Sequence, residues 1–163
     1  MSATLSHSAA PNGLGTITPY LTCARAAEAI AFYKKAFGAS EVMRLGGPDG
    51  KIMHACLAIY GSHIFLSDEF PDFGNLSPKS LNGTPVSIHI FVDDADAAIA
   101  KAAAAGAEVI MPAADMFWGD RFGMVADPFG HKWSLAKHLR DMTADEIHAA
   151  MARAAVFNQT SGG

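Results

Sequence analysis

The chain is short of charge and nearly without cysteine. Of its 163 residues 17% are Asp, Glu, Lys or Arg, and the formal net charge is −4. No cluster of Lys and Arg supplies an electrostatic footprint for nucleic acid or an anionic membrane, so polyanionic partners are poor candidates. The two cysteines, Cys23 and Cys56, form neither a C-x-x-C pair nor a disulfide ladder; free, buried thiols in a reducing cytoplasm are expected. No apolar run approaches the roughly 20 residues of a membrane span. From Met1 to Thr16 there is neither lysine nor arginine, no signal peptide is readable, and a frayed tail is expected over residues 1–16. What remains is 50% apolar, enough for a sizeable core.

Compared with itself, the chain repeats. A shift of 69 places lays Cys23 on Val92, Ala29-Ile30 on Ala98-Ile99, Gly61 on Gly130, Ile64 on Trp133 and Leu66 on Leu135. Loosened by one residue, it lays Gly38–Val42 over Gly106–Val109. Ile17–Cys23 reads as a strand; Ala29, Ile30, Tyr33 and Phe37 then recur at helical spacing over Ala26–Phe37, with Gly38 as the stop. Three strand-like runs follow, Ser40–Leu45, Lys51–Tyr60 and His63–Ser67, separated by glycine-rich turns. The second half has the same order: Val86–Val92, an alanine-rich helix from Asp94 to Ala105, then Glu108–Met111, Arg121–Ala126 and Lys132–His138. Asp127-Pro128-Phe129-Gly130 supplies its last turn. Each half is βαβββ, an α+β arrangement. Module one covers 17–68, a turn-rich linker 69–84, module two 85–138. Residues 139–163 hold a C-terminal helix, signalled by the capping box Thr143-Ala144-Asp145-Glu146, and a tail.

With this order of elements the chain resembles the vicinal oxygen chelate (glyoxalase/bleomycin-resistance/dioxygenase) superfamily, and within it the PhnB-like branch. The match is carried by Thr18-Pro19-Tyr20-Leu21, Glu28–Tyr33, Ala36–Ala39, Met53-His54-Ala55, Leu66–Glu69, Trp118-Gly119-Asp120-Arg121 and Asp127–Leu135, over roughly residues 17 to 138. The resemblance implies eight strands from the two modules curling into a cup-shaped mixed sheet with helices outside, and a homodimer. A methyltransferase label attached to some members of that branch is discounted, because no glycine-rich nucleotide loop follows a first strand here.

Superfamily enzymes hold a divalent metal with His or Glu/Gln side chains from the first and last strand of each module. Alternation along Val86–Val92 turns Ile88, Ile90 and Val92 to the helix, and Ser87, His89 and Phe91 to the cup. The ligand positions then fall on Ser87 and, one shift earlier, Thr18, and on Ser134 and Phe65. Hydroxyls bind Zn, Ni, Mn or Fe poorly beside imidazole or carboxylate, and a phenyl ring does not bind them. No metal and no other cofactor is therefore expected there. A displaced His/His/Cys site from His54, His89, His63 and Cys56 would require those side chains to converge.

His54 and His89 are the candidate acid/base residues, because histidine alone titrates unperturbed near neutral pH; a hydrogen-bonded wall is the alternative role. Cys56 is a nucleophile only if its pKa is lowered. Met116–Arg121 places two aromatics and a charge pair before the seventh strand, as a lid over the cup or with Trp118 tucked beneath the loop and Asp120 paired to Arg121 or a turn amide. Trp133 belongs to the core; Lys137 and His138 look solvated. The expected ligand contacts are Tyr20, Cys56, Phe65, Phe91, Trp118, Asp120, Arg121 and Ser134. Two functional readings stand: a cytoplasmic protein that binds a small, partly apolar molecule without metal, or a glyoxalase-like lyase or isomerase on a small oxygenated substrate.

Overall fold

The computed structural model describes residues 10–11 and 13–160; the first nine residues of the expected tail, Asn12 and residues 161–163 lie outside the described residues. The chain forms two units, one of residues 1–85 with 128–131, the other of residues 86–127 with 132–163.

The first unit contains β1 (Tyr20–Cys23), α1 (Ala26–Phe37), β2 (Ser40–Gly46), β3 (Ile52–Ile59) and β4 (Ser62–Asp68), in a sheet of order β1-β4-β3-β2. β1 and β4 are parallel and the other pairs antiparallel, so the sheet is mixed. α1 has a seam of small and aromatic residues, Ala26, Ala29, Ile30, Tyr33, Ala36 and Phe37, all buried. That seam covers one face of the sheet, where Cys23, Ile64 and Leu66 are also buried, because alternation sends every second strand residue there. The expected linker, which falls within the first unit, is more ordered than its turn signals imply. A 3₁₀ turn, Pro71–Phe73, and a one-turn helix, α2 (Pro78–Leu81), capped by Ser77, occupy it. Both are too short to leave a periodic signature.

The second unit repeats the pattern with β5 (Ser87–Phe91), α3 (Ala95–Ala105), β6 (Glu108–Asp115), β7 (Asp120–Ala126) and β8 (Lys132–His138), in the order β5-β8-β7-β6. The shift of 69 read from sequence reappears in the pairing itself: Tyr20 is opposite Phe65 in β1/β4, and His89 opposite Ser134 in β5/β8. Trp133, Leu135 and Val125 are wholly buried on the helix side with Ile99 and Ala102. β6 runs four residues beyond its expected end, through Pro112; two register irregularities against β7 accommodate the proline. α4 (Ala144–Thr160) starts at the expected box: the Thr143 amide donates to Glu146 and the Glu146 amide to the Thr143 hydroxyl. No helix among the described residues is long and apolar enough to cross a membrane.

Candidate functional site

Each sheet has one face turned away from its helix, and the candidate residues gather on these two faces. In the first unit β1, β3 and β4 bring Tyr20, His54 and Phe65 together. The Tyr20 hydroxyl lies 2.7 Å from His54 Nδ1, and the Phe65 ring stands edge-on to both, at centroid distances of 5.6 and 4.8 Å. Partial burial pushes the Tyr20 phenol above its ordinary pKa, so it carries its proton at neutral pH. Tyr20, Phe65 and Thr18 also line a cavity of about 350 Å³ whose remaining wall is Ala10, Pro11, Leu14, Gly15 and Thr16. The described part of the expected tail thus lies along this face. Cys56 sits opposite Phe65 in the ladder and is buried. Desolvation raises its thiol pKa, so the nucleophile reading is set aside: no group here lowers it.

In the second unit β5, β7 and β8 bring together His89, Phe122 and Ser134. Ser134 Oγ is 2.7 Å from His89 Nδ1. The His89 ring meets Phe91 edge-on at 4.6 Å and stacks on Phe122 at 6.0 Å and 16°. Trp118 continues the aromatic row, 5.7 Å from Phe122 and 5.0 Å from Phe117. Its indole donates to Asp120 Oδ2 at 3.1 Å.

The two clusters occupy the same places with the residue types exchanged. The shift of 69 carries Tyr20 to His89 and Phe65 to Ser134; the shift of 68 that relates β3 to β7, where Ala55 and Gly123 are opposite Leu66 and Leu135, carries His54 to Phe122. In both, a histidine binds a hydroxyl through Nδ1 with an aromatic ring beside it. Phe122 is absent from the candidates read in the sequence. Counting alternately from the helix-side Val125 in β7 would have found it.

Two expectations are corrected. Arg121 is not on the aromatic face: it follows Asp120 in the strand and so points to the helix side, where its guanidinium binds Asp96 at 2.5 Å and Asp115 at 2.9 Å. Asp120 accordingly pairs not with Arg121 but with Trp118 and His138. Nor is His138 merely solvated: Nδ1 lies 2.7 Å from Asp120 and Nε2 2.8 Å from Asp141, and the two carboxylates raise its pKa. This histidine joins the Trp118 loop to the segment entering α4. Because the folded-state pKa is raised, the contribution to stability is complete below the unfolded value of about 6.5 and lost as pH rises through the folded value. Thermal melts across that window should show wild type losing its advantage over His138→Gln with rising pH. A constant difference would contradict the pairing.

A divalent metal is what the superfamily's usual chemistry implies, and the donor set present does not fit one. The four positions hold Thr18, Phe65, Ser87 and Ser134, and the Ser134 hydroxyl is engaged with His89. Lys132 is the ladder partner of Ser87 and shares its face, so the cross-strand neighbour of that position is a lysine rather than an imidazole or carboxylate ligand. Among the described residues no three His, Cys, Asp or Glu side chains are grouped to hold a metal, and the displaced cluster is not assembled.

The sequence profile of the Glyoxalase/Bleomycin resistance protein/Dioxygenase superfamily matches residues 13–135. The chain belongs to this superfamily. An uncharacterized protein of Mycobacterium bovis is 49% identical over 138 residues, covering 83% of this chain and 91% of the relative. The crystal structure of an Arabidopsis thaliana gene product, 29% identical, superimposes with a TM-score of 0.61 over 76% of this chain and 98% of that one. A Bacillus cereus protein described as a putative 3-demethylubiquinone-9 3-methyltransferase, PhnB protein, shares the fold at 19% identity, with a TM-score of 0.58 over 76% and 99% of the two chains. These relationships make the two-module superfamily fold the frame for the aromatic and histidine faces.

Proposed function

We propose that this chain is a PhnB-like superfamily member that binds a compact, partly apolar molecule against its aromatic–histidine faces without a divalent metal. The observation that carries the reading is the occupancy of the superfamily's ligand positions by Thr18, Phe65, Ser87 and Ser134, within faces that also carry Tyr20, His54, His89, Phe91 and Phe122. Such a lining takes up apolar area with a few fixed polar groups, the usual make-up of a small-molecule site. The 350 Å³ cavity beside Tyr20 and Phe65 lies in the size range of such sites. The test is titration with an environment-sensitive apolar dye: wild type should bind with saturation, while Phe65→Ala and Phe122→Ala should each weaken binding by roughly tenfold, about 1.4 kcal/mol. Unchanged affinity in both variants would contradict it.

The hydroxyl-bound histidines support a second reading, a lyase or isomerase in which His54 or His89 moves a proton. Turnover of a small oxygenated substrate that disappears in His54→Ala or His89→Ala, with the fold intact, would favour it over binding alone. A cytoplasmic homodimer belongs to the same proposal. Val42, Met43 and Leu45 on the edge strand β2, and Val109, Ile110 and Met111 on the edge strand β6, are exposed apolar residues, a surface suited to a second copy. Light scattering at micromolar concentration should report twice the chain mass, falling to one chain in Val42→Asp/Ile110→Asp.

A further inference from the structure

The faces described above leave one atom of each histidine unaccounted for. His54 and His89 use Nδ1 for Tyr20 and Ser134, and no protein partner of either Nε2 exists among the described residues. Which nitrogen carries the proton decides what kind of ligand atom can meet that Nε2.

The surroundings settle it. Ser134 is buried, 5% exposed, and His89 Nδ1 is the only acceptor its hydroxyl proton has among the described residues. Were Nδ1 protonated and donating, that buried hydroxyl would have no acceptor, which is costly. Ser134 therefore donates, Nδ1 accepts, and the ring N–H of His89 is on Nε2. In the first unit Tyr20 is a phenol, the stronger acid of its pair and kept protonated by partial burial, so it donates to His54 Nδ1 with the same result. An Nε2–H is a hydrogen-bond donor and cannot coordinate a metal. The side chains immediately around each, Phe65 and Tyr20 for His54, Phe91 and Phe122 for His89, carry no charge and offer aromatic surface.

We infer that His54 and His89 are fixed as Nε2–H donors by Tyr20 and Ser134, and that each face takes a neutral cyclic or aromatic carbonyl compound whose oxygen accepts from that face's own histidine. The inference rests on the binding role proposed above and narrows it to a ligand class. It makes Tyr20 and Ser134 positioning residues: they act through the histidines.

Long-range ¹H–¹⁵N correlation spectra of the ¹⁵N-labelled full chain at about pH 8 report the tautomers directly, with His54→Gln and His89→Gln as assignments. Both histidines should show an unprotonated Nδ1 and a protonated Nε2. Tyr20→Phe and Ser134→Ala should each bring Nδ1–H signal to their own histidine alone. A protonated Nδ1 at either histidine in wild type overturns the inference. The ligand class is tested with 1-tetralone and tetralin, which share a bicyclic skeleton and differ by the carbonyl. The ketone should bind about tenfold more tightly, and the preference should fall in His54→Phe and His89→Phe. Equal binding of the two would leave the binding role standing and overturn the carbonyl preference. Binding of neither would overturn the binding role, and this inference with it.

Discussion

Asp68→Ala should lower the unfolding free energy by roughly 2–6 kcal/mol, since it strips two buried amides of their acceptor at about 1–3 kcal/mol each. Asp68 is buried, and its two oxygens accept from the Ala26 amide at 2.9 Å and the Ile52 amide at 2.7 Å. Ala26 opens α1, whose flanking residue Arg25 makes no side-chain capping bond; the first-turn amides of a helix have no partner of their own. Asp68 is thus the cap of α1, supplied from the end of β4, and it pins the start of β3 at the same time. The second unit solves the problem locally, where Asp94 caps α3 through the Ala97 amide at 2.9 Å. Urea denaturation measures the effect, and Asp68→Asn, which keeps one acceptor oxygen, should recover part of it. A loss below about 1 kcal/mol for the alanine variant would show that water or another group satisfies those amides.

Gly123→Val should also be strongly destabilising, by roughly 3 kcal/mol or above. Gly123 lies on the helix side of β7, where a Cβ would strike Ile99 Cδ1 and come within 2.8 Å of the Met111 carbonyl oxygen and 2.9 Å of the Ala113 amide. Ile99 can turn aside, but the backbone atoms belong to the irregular stretch of β6 and cannot retreat without breaking its pairing with β7. Gly123→Ala should show the same sense at reduced size. The first unit keeps a small residue at the corresponding place, Ala55, which is wholly buried. Circular dichroism melts of both variants against wild type provide the check; wild-type stability in the valine variant would contradict so close an approach of α3 and β6.

The fold was legible because its evidence is periodic. Helical spacing in Ala26–Phe37, alternation in β5 and the 69-place shift between halves each recur often enough to stand out from a single sequence, and the ladder pairs Tyr20/Phe65 and His89/Ser134 repeat that shift in the structure. Alternation alone turned Ser87, His89 and Phe91 to one face, and the superfamily's ligand pattern added Ser134. What stayed hidden depends on partners distant in the chain or on local irregularity. The capping of α1 by Asp68 spans 42 residues, His138 acquires the Asp120 carboxylate only once β7 and β8 pair, and the bulges carrying β6 through Pro112 have no sequence signature. Placing both Asp120 and Arg121 at the ligand overlooked that neighbours in a strand point to opposite faces. Phe122 went unnamed for the same reason, since the motif around Trp118 drew the eye to the loop before the strand.

The chemistry of the site turns on whether the positions at 18, 65, 87 and 134 bind a metal. Native mass spectrometry of protein purified without chelator or immobilised metal, paired with elemental analysis, answers this in one preparation. Hydroxyls, a phenyl ring and a neighbouring Lys132 should leave the chain without stoichiometric Zn, Ni, Mn or Fe. One retained transition metal per chain, lost in Ser87→Ala or Ser134→Ala, would contradict it.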